Sequence, residues 1–185
     1  MFLLQRPLRM TANELTLAEI CKNDARSGIE KYLSRIVRCL QLLSEKEIWW
    51  RPNDASNAAG NIVLHLCGNI RQWIISGLGG EPDVREREKE FSERGPISRR
   101  ALVTQLKITV GEACEIIDGL PVETLLQQFR IQGYEASGLI AVLRVYEHFA
   151  YHTGQITYLT KLRCGKDLHF TRLPAEKPRR STKKQ

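Results

Sequence analysis

No apolar run in the 185 residues approaches the ~18 that a membrane span needs. The opening stretch, Met1 to Met10, lacks the long apolar core and small-residue cleavage site of a secretory signal. It reads as a short flexible extension ahead of a domain at 11–170, and the expected compartment is the cytoplasm. The five cysteines form no Cys-x-x-Cys pair and are widely spaced, which excludes a disulfide framework and a cysteine zinc site. There is no Gly-x-Gly-x-x-Gly, no Walker loop and no Gly-x-Ser-x-Gly, so the usual dinucleotide, nucleotide and serine-hydrolase signatures are missing. Histidine is scarce, with four in the chain. Any imidazole chemistry must therefore come from His65, His148, His152 and His169.

What is present is ordinary for a globular protein: 42% apolar and 26% charged residues. The net charge of +7 is unevenly placed. From Arg172 to Gln185 six basic residues face one acidic residue, a local +5, which leaves the body with 7 − 5 = +2. Residues 171–185 therefore read as a disordered basic tail. Nucleic-acid binding through that tail is disfavoured, because it has no aromatic residue on which a base could stack.

Four long stretches carry helical periodicity. The first runs from Thr11 to about Ser44, with a possible break at Gly28. The second starts near Ser56 or Asn57 and ends before Gly79-Gly80. The third is capped by Ser98 and ends at Gly119, and the fourth is capped by Ser137 and ends at Gly165. Trp49-Trp50 reads as a plug over one end of the core, with ligand stacking as the alternative. Residues 81–96 form a charged linker, by default a solvated loop, from which Arg85 and Arg87 could face an anionic ligand. Residues 129–134 alternate and suggest a short extended crossing, too short to build a sheet. The expected fold is all-α, a four-helix bundle.

The most informative segment is Glu147-His148-Phe149-Ala150-Tyr151-His152-Thr153-Gly154-Gln155. Two histidines four residues apart lie one helical turn apart on one face. One metal ion can join them, with a third ligand from elsewhere. His65 occupies the inward stripe of the second helix with Ile62, Leu66, Asn69 and Trp73. Taken alone, it is more simply a core histidine bonded to Asn61 or Asn69. Three inward imidazoles together favour a metal, which takes one nitrogen from each. His169 lies past the Gly165 stop and is the weaker third ligand. The metalloprotease pattern is excluded because Phe149 follows His148. A di-iron centre is excluded because Glu147 points ~100° away from His148.

Asn61-Ile62-Val63-Leu64-His65-Leu66, followed on the last helix by His148-x-x-x-His152-x-Gly154-Gln155, resembles the DinB/YfiT-like superfamily of metalloenzymes, in its uncharacterised bacterial branch. The resemblance spans roughly Leu15 to Phe170. It implies a four-helix bundle, commonly a homodimer, holding a divalent metal on His65, His148 and His152. Zinc or nickel is the first expectation and iron the next, since imidazole suits all three. It also implies a metal-dependent thiol S-transferase or a hydrolase, with a low-molecular-weight thiol as co-substrate. Asn61, Gln155 and Tyr151 are the expected supporting residues. Many members carry a histidine where this chain has Tyr151. The alternative is a non-catalytic stress-response or binding protein that the metal stabilises.

Overall fold

A computed structural model of the chain describes residues 11–95 and 97–171. The start expected to be a flexible extension and, Thr171 apart, the tail expected to be disordered fall outside those residues. Helix α1 is Ala12–Leu42 and helix α2 the single turn Glu45–Ile48; α3 spans Ala59–Ile70 and continues as a π-helical segment over Arg71–Ser76. Helix α4 is Arg87–Ser92, α5 Arg99–Gly119 and α6 Gly138–Cys164. Strands β1 (Gln128–Ile131) and β2 (Tyr134–Ser137) precede α6. The molecule is mostly helical, and no helix among the described residues is long and apolar enough to cross a membrane.

The four long helices touch in a ring: α1 packs on α5 and α6, and α3 packs on the same two. Each turns one apolar stripe inward. Ile29, Ile36 and Leu40 of α1 meet Leu66 and Ile70 of α3, Leu102 and Leu106 of α5, and Val145 and Phe149 of α6, all buried in one core. Helix α1 is unbroken at Gly28. That glycine admits the Tyr146 ring, which a Cβ would overlap, so the residue serves close helix packing and no break occurs.

Several local expectations change. Helix α3 begins at Ala59, two residues later than a Ser56 cap and one later than an Asn57 cap would place it, because Asn61 reaches back and its Oδ1 accepts from the Ala58 N–H at 3.3 Å. Ser56 instead bonds Asn53. Ser98 and Ser137 cap α5 and α6 as expected, accepting from Ala101 and Ile140. The crossing at 129–134 is a two-stranded antiparallel ribbon, with Ile131 paired to Tyr134. The two-residue loop Gln132-Gly133 has positive φ at both positions, 53° and 81°. That is the pattern of the tight hairpin turns that match strand twist. The 81–96 linker is no solvated loop. It contains α4 and buries Glu90, which is 8% exposed. Trp49 does plug one end: it packs on Gly60 and donates its indole N–H to the Ile97 carbonyl at 3.1 Å. All five cysteines are free thiols.

Candidate metal centre

Helices α3 and α6 are in contact, so the inward stripe bearing His65 faces the stripe bearing His148 and His152. The three imidazoles converge. Their ligand nitrogens all lie within 4.8 Å of one another, and His65 Nε2 is 2.9 Å from His148 Nε2. Ring centroids are 4.9 Å apart for His65–His148, 5.1 Å for His65–His152 and 4.4 Å for His148–His152. A tetrahedral ion with metal–nitrogen bonds of about 2.0–2.1 Å sets its nitrogens ~3.3 Å apart. The cluster is within small side-chain adjustments of that spacing.

The surroundings fix which nitrogens face inward. His65 Nδ1 lies 2.8 Å from Glu90 Oε2. Arg85 Nη2, a donor, also lies 3.1 Å from Nδ1. The shorter contact, to a carboxylate that can only accept, favours the proton on Nδ1 and the lone pair on Nε2. On α6, His152 Nδ1 lies 2.7 Å from Gln155 Oε1 and donates to it, again leaving Nε2. Two Nε2 atoms 2.9 Å apart need a proton on one of them, or a shared cation in its place. Burial and the neighbouring imidazoles push the His148 pKa down to about 3. Burial, partly offset by Gln155, pushes that of His152 down to about 4. Both rings are therefore neutral near pH 7, the form that binds a metal. The donor set and its protonation fit a divalent cation.

Glu90 is held in turn. Burial alone would raise its pKa, but hydrogen bonds from Arg85 and His65 keep it below the ordinary carboxylate range. Arg85 makes a fork to it, Nε to Oε1 at 2.7 Å and Nη2 to Oε2 at 2.9 Å, and Arg85 Nη1 also reaches Gln72 Oε1 at 2.8 Å. Both side chains lie directly over Gly68, where a Cβ would collide with the Glu90 carboxylate.

Asn61 does not touch the histidines. Its Nδ2 donates to the Glu90 and Glu93 carbonyls at 2.9 Å each, and its Oδ1 accepts from Arg51 at 2.9 Å. It pins the segment that delivers Glu90, so it acts one step behind the site. Gln155 touches His152 directly. Tyr151 is 63% exposed and meets the His152 ring edge-on at 5.0 Å. His169 stands apart, exposed and paired with Asp167 at 3.2 Å. Sequence reasoning missed Glu90, its Arg85 clamp and the Gly68 cradle.

A basin of about 590 Å³ opens beside the cluster, with His65 and His148 in its lining together with Asn69, Trp73, Tyr134 and Arg144. A wider cavity of about 850 Å³, between Trp49, Trp50, Arg94 and Ile97, touches none of the histidines.

The sequence matches the family described as "Protein of unknown function (DUF1572)" over residues 18–177. Three solved structures share the fold. A conserved protein from Enterococcus faecalis is 13% identical, with TM-score 0.64 over 78% of this chain and 97% of that one. A DinB-like protein from Bacillus cereus is 17% identical, with TM-score 0.59 over 72% of this chain and 86% of that one. The DinB-like protein YjoA from Bacillus subtilis is 16% identical, with TM-score 0.59 over 82% and 96%. No curated protein matches the sequence.

Proposed function

This chain belongs to the family described as "Protein of unknown function (DUF1572)" and shares the fold of DinB-like proteins, and from that starting point we propose that it is a divalent-metal-dependent enzyme. Its ion is held by His65, His148 and His152. The observation that carries this reading is the convergence of three imidazole nitrogens within 4.8 Å, two of them oriented by Glu90 and Gln155. The ring of contacts among α1, α3, α5 and α6 supports a four-helix bundle as the scaffold. Zinc or nickel suits the donor set, and iron is the next choice.

Three protein ligands would leave a divalent ion open to a further ligand, and such an ion would supply the Lewis acidity that makes a thiol or a water more acidic near neutral pH. The protein's own contribution is positional. Glu90 holds His65 by its Nδ1–H and increases its basicity; Arg85 keeps Glu90 ionised; Gln155 orients His152. Thiol S-transfer is the proposed reaction class, with hydrolysis as its alternative. In S-transfer the small thiol gives up its proton, its sulfur bonds an electrophilic carbon, and the leaving group departs with the electron pair. Glu147, a carboxylate in the basin lining, is the candidate proton acceptor.

A homodimer is proposed as the working form. Ile140, Tyr151, Tyr158 and Leu162 are all exposed on α6, at spacings that keep them near one side of that helix. The five free thiols support a cytoplasmic setting. The competing reading, a metal-stabilised protein without catalysis, draws on the way Glu90 and Arg85 stitch the 81–96 segment to α3. Metal content and thiol consumption measured on wild type and on His152→Ala separate these readings. The catalytic reading expects both to fall in the variant; undiminished metal in His152→Ala would overturn the ligand assignment. Metal loss with no thiol or ester consumed by wild type would favour the structural role.

A further inference from the structure

We propose that the basin beside the three histidines recognises a small carboxylate-bearing molecule that also offers an amide N–H or hydroxyl donor. Arg144 takes the carboxylate and Asn69 accepts from the donor. This deepens the reading of the cluster as a reaction centre and rests on it for the identity of the ligand as a substrate.

The argument begins with Asn69. It sits on α3 one turn after His65 and lines the basin. It is only 9% exposed, and its Oδ1 is enclosed with no hydrogen-bond partner. A buried amide oxygen without a donor costs roughly 1–3 kcal/mol, so a site of this kind is completed by what it binds. Donation to Oδ1 requires an N–H or O–H on the ligand.

Arg144 supplies the second element. Its guanidinium lies 5.2 Å from the Trp73 ring and 5.4 Å from the Tyr134 ring, and the two rings are stacked 6.5 Å apart. Among the described residues it makes no ion pair. The rings restrain the planar group while leaving its N–H donors available, and a planar fork matches a carboxylate in a two-point contact. The hairpin explains the arrangement: its turn brings Gln132 and Tyr134 to the rim of the same basin.

In the metal-free protein, charge favours a carboxylate over a phosphate. Arg85 lines the basin but is neutralised by Glu90. Arg87 and Arg144 then stand against Glu147, leaving the wall at 2 − 1 = +1. Without the ion, a single negative charge suits that wall, whereas a dianion would meet Glu147 with one fork to hold it. A divalent ion on the histidines would attract either anion, so the metal-free titration is the one that separates them.

The test is calorimetric titration of the full chain, metal-free and metal-loaded, with N-acetylglycine, its methyl ester, acetate and inorganic phosphate. N-acetylglycine is expected to bind more tightly than the other three, and Arg144→Met to weaken it about tenfold or more. Asn69→Ala is expected to remove the advantage of N-acetylglycine over acetate. Equal binding of acetate and N-acetylglycine, preferred binding of phosphate, or indifference to Arg144→Met would each overturn the proposal. Arg144 is exposed, so its variant remains informative if Asn69→Ala does not fold. Metal retained without N-acetylglycine binding would refute the carboxylate site and leave the metal centre standing. Arg144-dependent N-acetylglycine binding to protein that takes up no metal would do the reverse.

Discussion

At the scale of single residues, protonation controls the site. His148 and His152 have folded-state pKa values of about 3 and about 4, against 6.5 in an unfolded chain. Above pH 6.5 both rings are neutral in either state and contribute no pH dependence. As pH falls through 6.5 the unfolded chain takes up protons that the folded chain refuses, so stability drops until about pH 4 for His152 and about pH 3 for His148. Urea unfolding of the metal-free protein from pH 8 to pH 4 is expected to show that loss; a flat profile would mean the rings are solvated. Glu90 gives a second expectation. Glu90→Gln keeps the shape but removes the charge that holds His65 Nδ1–H, and about 10–100-fold weaker metal binding in a chelator competition follows. Unchanged affinity would remove Glu90 from the site. The histidines were legible in the sequence because helical spacing fixes their direction. Glu90 was not, because Glu86, Glu88, Glu90 and Glu93 look alike locally, and only the bonds from Asn61, Arg85 and His65 select one of them.

At the scale of elements, the site depends on how α4 lies across α3. Gly68 is the contact point, since a Cβ there would occupy the place of the Glu90 carboxylate. Gly68→Ala is expected to lower the melting temperature and weaken metal binding with all three ligands intact. A variant with wild-type melting and wild-type affinity would show that α4 sits elsewhere. Asn61→Ala should act on the same join, stranding the Glu90 and Glu93 carbonyls at a cost of about 2 kcal/mol or more in chemical denaturation. The four long helices could be read from their stripes and from Ser98, Ser137 and Gly165. The hairpin could not, because Gln132-Gly133 is a weak form of the Asn-Gly turn signal. Its strands are also too short for periodicity to register. The α4 segment was hidden for another reason: its composition is that of a solvated loop, and long-range bonds alone order it.

At the scale of the whole molecule, a ring of helices closes one core and leaves one face of α6 partly apolar. If that face joins two copies, Tyr158→Glu with Leu162→Glu should convert a dimer to a monomer in sedimentation while leaving metal content unchanged. A dimer that survives the double change would place the interface elsewhere. The ring was accessible from sequence because each helix had one inward stripe, and the histidine cluster is a consequence of two such stripes meeting.

The central claim is that His65, His148 and His152 together hold one divalent ion. Metal analysis combined with X-ray absorption at the metal edge, on wild type, His148→Ala and His169→Ala, tests it most directly. The expected result is one ion per chain with three imidazole ligands in wild type and in His169→Ala, and loss of the ion in His148→Ala. An ion that persists in His148→Ala with an unchanged spectrum, or a wild-type protein that takes up none, would contradict it.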